Sequence, residues 1–199
     1  MPDYEYENAV KSKGFKLVCG VDEAGRGPLA GPVCAAAVIL PENAVIEGLN
    51  DSKKLSEKKR EALYDVIKEK AIAFCVAYGT LEEIETLNIL QATFLAMNRA
   101  IDGLAVKPDF ALIDGNRVPK DIKIPCETVV KGDGKSMSVA AASVLAKVTR
   151  DRLMLEYDKK YPEYDFKKHK GYGTKEHTEL IKKYGPCEIH RMSFLKNIL

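Results

Sequence analysis

Residues 16–32 read KLVCGVDEAGRGPLAGP, and they predict how the central sheet begins. Apolar side chains dominate positions 16–21, which is typical of a buried strand. Glycine and proline then interrupt the pattern, and a second apolar run follows at positions 33–40, closed by Pro41. Two apolar runs joined so closely indicate a hairpin at the start of a sheet.

The adjacent acids Asp22 and Glu23 stand where this first strand ends. A carboxylate is costly to place at the end of an apolar strand unless a cation or hydrogen-bond donors compensate for its lost hydration. Because side chains alternate along a strand, the two acids should point to opposite faces, and a bend or a role for the backbone between them is needed if both bind one ion. Taken alone, the stretch fits a strand-end turn with a surface ion pair equally well.

Outside the hairpin, strands and helices alternate and then give way to helices alone. This order predicts an α/β fold with a central mixed β-sheet flanked by helices and a helical C-terminal region. We expect one catalytic domain over residues 1–199, with a core at about 1–160 and a C-terminal helical part at about 161–199 that contributes to substrate binding. The predicted elements are helices at 57–70 (N-cap Ser56), 81–101 (broken near 86–88), 136–157 and 176–184, and strands at 72–78, 110–113 and 122–130.

Composition places the chain among ordinary soluble proteins. It has 199 residues, 46% of them hydrophobic, and a net charge of +2 that does not by itself indicate a nucleic-acid partner. The longest apolar run, at 33–40, is far shorter than the roughly 20 residues of a membrane helix, and the acidic N-terminus is not a signal peptide. The five cysteines are odd in number and form no CxxC pair, so reduced thiols and a cytoplasmic location are expected.

Two segments resemble nucleotide-binding motifs but do not meet the requirements of either motif. Residues 25–30 match the GxGxxA form of a dinucleotide fingerprint, but that motif must open a helix, whereas prolines interrupt this segment. Residues 134–136 resemble the end of a P-loop, but Val129 stands where the first glycine is needed.

Further acids close other strand-like segments. Asp114 follows the apolar run 110–113, and Asp133 stands just before the longest helix. Acids at several strand ends can converge on one edge of a sheet and hold divalent cations. Each acid taken singly fits a turn or a helix cap, but together with Asp22 and Glu23 they favour a metal site.

Basic, hydroxyl and aromatic residues supply the other half of a phosphodiester site. Charge runs are usually solvated faces, but here they accompany the set of acids. Two lysines precede a helix, a serine and a lysine share one face of the long helix, and the basic, flexible segment 167–173 carries an aromatic ring suited to sugar or base contact. The candidate substrate contacts are Lys53, Lys54, Ser143, Lys147, Lys170 and Tyr172.

Several blocks of the chain resemble type 2 ribonuclease H, the ribonuclease HII family. They run in family order between about residues 16 and 190, and such a series is far more specific than any short motif. The blocks are VDEAGRGP (21–28), NDSKKL (50–55), IDGN (113–116), KGD (131–133), AASVLAKVTRD (141–151) and HKGYGT (169–174).

The resemblance implies an RNase H-like fold and a set of site residues. Asp22, Glu23, Asp114 and Asp133 would be the catalytic, metal-binding acids. Asp151 is a further acid that the sequence does not exclude as a ligand. The backbone of Gly25, Arg26 and Gly27 would contact the ribonucleotide around its 2′-hydroxyl, and Tyr172 would stack on the neighbouring sugar. The short segment before the first strand fits type II better than type III, which carries an extra N-terminal domain.

The implied activity is endonucleolytic hydrolysis on the 5′ side of a ribonucleotide, in RNA/DNA hybrids or in duplex DNA with embedded ribonucleotides. Two Mg²⁺ or Mn²⁺ ions would assist it, leaving a 5′-phosphate and a 3′-hydroxyl. Such an enzyme would serve primer removal and ribonucleotide excision repair, and we expect a monomer. The alternatives are a metallohydrolase of small phosphate esters and a non-catalytic nucleic-acid-binding module.

Overall fold

The computed structural model describes residues 1–199 and contains one five-stranded mixed sheet. Its strands are β1 (Val18–Ala24), β2 (Val33–Ile39), β3 (Ala73–Gly79), β4 (Phe110–Asp114) and β5 (Cys126–Val129). They lie in the order β3-β2-β1-β4-β5. The β1–β2 and β2–β3 pairs are antiparallel, whereas β1–β4 and β4–β5 are parallel. The predicted hairpin and mixed sheet are therefore confirmed.

The helices follow the predicted pattern closely. Ser56 caps its helix by accepting a hydrogen bond from the Lys59 N–H, and the predicted break in the next helical region falls at Asn88. The seven helices are α1 (Glu5–Lys11), α2 (Glu57–Lys70), α3 (Leu81–Leu87), α4 (Ile89–Asp102), α5 (Met137–Lys160), α6 (Phe166–His169) and α7 (Lys175–Tyr184).

Three helices cover the two faces of the sheet. The long helix α5 packs with α2 against one face, where Val38, Ile67 and Leu145 are buried together. The helix α4 packs against the other face, where Val21 and Met97 are buried. The sheet is thus buried on both sides, and polar side chains of the central strands reach solvent only at the strand ends.

The long helix crosses β1 very closely at Gly20. A Cβ atom on Gly20 would lie 2.1 Å from the carbonyl carbon of Ser138. Only glycine permits this approach, which brings the first turns of α5 onto the strand two residues before Asp22.

The C-terminal region forms its own apolar cluster with the loop that joins β1 to β2. Leu29 and Ala30 from that loop are buried against Phe166 and Ile181. The basic segment 167–173 contains the end of α6, and His169 is buried there with its ring 5.8 Å from that of Phe166. The last strand is also shorter than the predicted range 122–130.

No helix of the fold combines the length and apolar character needed to cross a bilayer.

Candidate active site

Four carboxylates gather where the central strands end. Asp22 and Glu23 lie near the end of β1, and Asp114 is the last residue of the parallel strand β4. Pairing of β1 with β4 stops at Val21, so Asp22 stands level with Asp114 and Glu23 one residue beyond it, while both acids remain paired with β2 on the other side. Asp133 follows β5 in a short 3-10 turn, Gly132–Gly134, whose Gly132 N–H donates to Asp114 Oδ1 at 2.7 Å.

As the sequence predicted, the side chains of Asp22 and Glu23 point to opposite faces of the sheet. Gly20 contacts α5, so Asp22, two residues further along, faces the same helix. Glu23 faces the side of α4 and lines a cavity of about 350 Å³ together with Phe94 and Asp114. The two carboxylates therefore lie on opposite faces of β1 near its end, and Asp114 lies at the end of the neighbouring strand.

Negative charge is concentrated at this edge. Burial, followed by the charges of Glu23 and Asp114, raises the pKa of Asp22 well above its usual value. Burial also raises the pKa of Glu23, although Arg26, 3.3 Å away, acts in the opposite direction. The edge holds more negative charge than its neighbouring cations neutralise, which is the electrostatic condition for attracting a further cation.

Lys53 is the cation closest to the fourth acid. Its ammonium group lies 3.4 Å from Asp133 Oδ2. Burial lowers the pKa of Lys53, but the charges of Asp133, Asp22 and Asp51 outweigh that effect and raise it. The same ammonium partly offsets the rise that burial and Asp114 cause in the pKa of Asp133. Lys53 therefore stays charged and faces the acids.

The donor set suits a hard divalent cation. All four acids offer carboxylate oxygens, the ligands that Mg²⁺ and Mn²⁺ accept readily. No three carboxylate, imidazole or thiol groups converge tightly enough to form a ready-made cage. Mg²⁺ does not require one, because it usually keeps several waters and uses one or two carboxylates together with substrate phosphates.

A groove of about 220 Å³ begins beside Glu23. The structure brings seven of the predicted substrate contacts to its wall and leaves Lys54 and Lys170 outside the lining. The ammonium of Lys147 lies 5.7 Å from the centre of the Tyr172 ring, and the Ser143 hydroxyl is 2.8 Å from that of Ser52. The seven are Gly25, Arg26, Gly27, Lys53, Ser143, Lys147 and Tyr172.

Asp151 lies in an ion-pair network rather than among the four acids. Its carboxylate is 2.6 Å from Lys147 Nζ and 4.0 Å from Arg60. Two cations therefore already neutralise it, which distinguishes it from Asp22.

Two buried arginines hold the loop that carries Gly25 and Arg26, and sequence reasoning missed this role for both. Arg150 donates to the carbonyls of Ala30, Pro32 and Lys170 at 2.9–3.1 Å. Arg191 donates to the carbonyls of Gly25, Arg26 and Gly31 at 2.6–2.9 Å. In five of these six bonds the partner is more than 100 residues away in the sequence, so no local sequence pattern predicts them.

A chain of histidines supports the Tyr172 loop from behind. The Cys187 N–H donates to His190 Nδ1, so His190 Nε2 carries the proton that it donates to His177 Nε2 at 3.1 Å. His177 Nδ1 in turn donates to the Tyr172 carbonyl at 2.9 Å. Burial lowers the pKa of His177 and of His190 to about 4, so both rings are neutral at pH 7.

Comparisons with known proteins agree with this fold and identify the family. The family model described as Ribonuclease HII matches residues 19–197. The ribonuclease HII of Caldicellulosiruptor bescii is 55% identical over 196 residues, 98% of this chain and 95% of that protein. The ribonuclease HII of Dechloromonas aromatica is 61% identical over 178 residues, 89% of this chain and 90% of the other. The crystal structure of ribonuclease H2 from Pyrococcus horikoshii superposes with a TM-score of 0.75 at 28% identity, covering 92% of this chain and 97% of that one.

Proposed function

This chain belongs to the ribonuclease HII family and is an endonuclease of the ribonuclease H type, and from that premise we propose how its residues act. The substrate is a duplex that contains ribonucleotides, either an RNA/DNA hybrid or DNA with embedded ribonucleotides. The phosphodiester on the 5′ side of a ribonucleotide is hydrolysed, leaving a 5′-phosphate and a 3′-hydroxyl.

The observation that carries this proposal is the gathering of four acids at one sheet edge, next to a groove lined by lysines and an aromatic ring. Asp22, Glu23, Asp114 and Asp133 would hold Mg²⁺ or Mn²⁺. A divalent cation there would supply positive charge against the negative charge that develops on the phosphate during hydrolysis. Because burial and mutual repulsion raise the pKa of Asp22, the folded edge already favours the arrival of a cation.

The chain's own residues position the substrate. Lys53 and Lys147 at the groove wall attract the phosphate backbone. The Tyr172 ring, 41% exposed, offers a flat apolar face to a sugar. Arg26 and Gly27 are exposed at the turn after β1 and bring backbone N–H groups to the same groove. The C-terminal region contributes through Tyr172, which supports its assignment as a substrate-binding part.

The assay uses a DNA duplex with one embedded ribonucleotide. Asp22→Asn keeps the size of the side chain but removes the charge, so we expect cleavage to fall by at least about a hundredfold while circular dichroism remains unchanged. Asp65→Asn on the exposed face of α2 is the matched control and should cleave normally. Undiminished cleavage by a folded Asp22→Asn protein would show that the acids have been assigned wrongly.

A chelator separates this mechanism from metal-free hydrolysis. Cleavage should stop in excess chelator and return when Mg²⁺ or Mn²⁺ is added beyond it. Mapping the products on substrates with one and with several ribonucleotides checks the 5′ position of the cut. A small phosphate ester tested beside the duplex should stay intact, and its rapid hydrolysis would favour the phosphohydrolase alternative.

A further inference from the structure

Arg191 lies beneath the turn that precedes the groove and is fully buried, with 0% of its surface exposed. It forms no ion pair with any carboxylate, although an unpaired guanidinium is costly to bury. All three nitrogens instead donate to backbone carbonyls, those of Gly25, Arg26 and Gly31. The buried guanidinium therefore fixes the backbone conformation of one turn.

The position of Arg191 is itself secured by the backbone. Its N–H donates to the Leu29 carbonyl at 2.8 Å, and the Gly31 N–H donates to the Ile189 carbonyl at 2.8 Å. Between them lies a single antiparallel bridge from Ala30 to His190. The guanidinium thus reaches the turn from a segment that is paired with the same loop.

The geometry of the peptide bond determines what these contacts do. In a trans peptide, the carbonyl of one residue and the N–H of the next point in opposite directions, and this chain has no cis peptide. When Arg191 draws the Gly25 and Arg26 carbonyls inward, the N–H groups of Arg26 and Gly27 must turn outward.

Those two N–H groups are free donors. Neither Arg26 nor Gly27 donates a backbone hydrogen bond within the chain. Both residues are exposed and line the groove, whereas Gly25 is buried beneath them. Gly25 must also be glycine, because its φ is +92° and a Cβ atom would lie 2.0 Å from Arg150 Nε. The turn therefore presents two adjacent donors and has little freedom to change shape.

We propose that Arg191 is a positioning residue for ribose recognition, which holds the N–H groups of Arg26 and Gly27 toward the substrate's 2′-hydroxyl. This inference rests on the proposed function, since it needs a ribonucleotide in the groove. Arg99 serves as a comparison within the same chain, because it also donates to a backbone carbonyl, that of Tyr78, but lies outside the groove lining.

The test measures binding rather than cleavage, using fluorescence anisotropy in chelator. Two duplexes are compared, identical except that one sugar carries either a 2′-hydroxyl or a 2′-hydrogen. Arg191→Lys keeps the positive charge but lacks the planar guanidinium that donates to three carbonyls at once. We expect it to bind the 2′-hydroxyl duplex about tenfold more weakly, as expected for one or two lost hydrogen bonds, and to bind the 2′-hydrogen duplex within about twofold of the unaltered protein.

The matched variant is Arg99→Lys, which should leave the ratio of the two affinities unchanged because its guanidinium donates to the Tyr78 carbonyl and Glu83 outside the groove. An equal loss on both duplexes for Arg191→Lys would overturn the proposal, since a general loss of structure or charge would then explain it. If the unaltered protein binds both duplexes equally, ribose sensing by this turn fails together with the inference. If it discriminates and Arg191→Lys discriminates equally well, only the inference fails.

A second measurement needs no variant and covers the case in which Arg191→Lys does not fold. In ¹H–¹⁵N NMR spectra of the unaltered protein, the amide signals of Arg26 and Gly27 should shift downfield with the 2′-hydroxyl duplex, and by clearly less with the 2′-hydrogen duplex. Identical shifts with both duplexes would overturn the proposal.

Discussion

One buried carboxylate, that of Glu7, joins the N-terminal helix to the start of α5. Glu7 is 4% exposed, and its Oε1 accepts from the Ser136 hydroxyl, the Ser138 N–H and the Ser138 hydroxyl at 2.6–2.9 Å. Ser136 caps α5, and Asp133 stands three residues earlier. Removing this carboxylate should therefore weaken the fold at the point where α5 meets the acids.

The magnitude follows from the donors left behind. Glu7→Ala leaves three buried donors without their acceptor, and each costs about 1 kcal/mol or more. The loss of a negative charge at a helix N-terminus adds to this. We expect the free energy of unfolding to fall by about 3–4 kcal/mol, and for a chain of this length the melting temperature by roughly 6–16 °C. Glu7→Gln retains one carbonyl acceptor and should lose about half as much.

The assay is urea denaturation followed by circular dichroism, with Glu5→Ala as the matched control. Glu5 lies on the same helix but is exposed, and its side chain makes no hydrogen bond, so its loss should cost less than about 1 kcal/mol. Equal effects of Glu7→Ala and Glu5→Ala would refute the reasoning. So would a Glu7→Gln variant as unstable as Glu7→Ala, because the retained acceptor would then have no effect.

Two further predictions concern the histidine chain and the groove. Burial lowers the pKa of His177 and His190 to about 4, below the value near 6.5 of the unfolded chain, so this pair should favour unfolding increasingly as the pH falls from 6.5 toward 4. The raised pKa of Asp22 has the opposite effect on stability as the pH falls, so global stability does not isolate the histidines. The imidazole carbon signals in NMR report the two rings directly. Titration of both rings near pH 6.5 would contradict the prediction. Duplex binding should weaken steeply with salt, and Lys53→Gln should reduce the slope of log affinity against log salt by about 1. If affinity does not change with salt concentration, Lys53 and Lys147 do not contact phosphates.

Local patterns were sufficient to predict most of the elements. Alternating or continuous apolar runs identified the strands, and the cap at Ser56 and the break at Asn88 fell where hydrogen-bonding side chains predicted them. These features depend on neighbours within a few residues, which the sequence displays directly. The helix end within the basic segment 167–173 was not predicted, because it depends on the burial of Phe166 among residues distant in the sequence and of His169 beside it.

The sequence by itself determined that acids end two strands and that a glycine-rich turn follows the first of them. It could not show how Asp22 and Glu23 would both contribute to the proposed metal site, because the alternation of side chains along a strand separates them. The tertiary structure places the two acids on opposite faces of β1 next to the end of the parallel strand β4, where Asp114 stands. It also decided which groups hold the turn, since Arg191 reaches Gly25 across 166 residues. Such long-range contacts leave no periodic pattern in the sequence. They depend on which helices, strands and loops pack together, and not on the order of residues within one element.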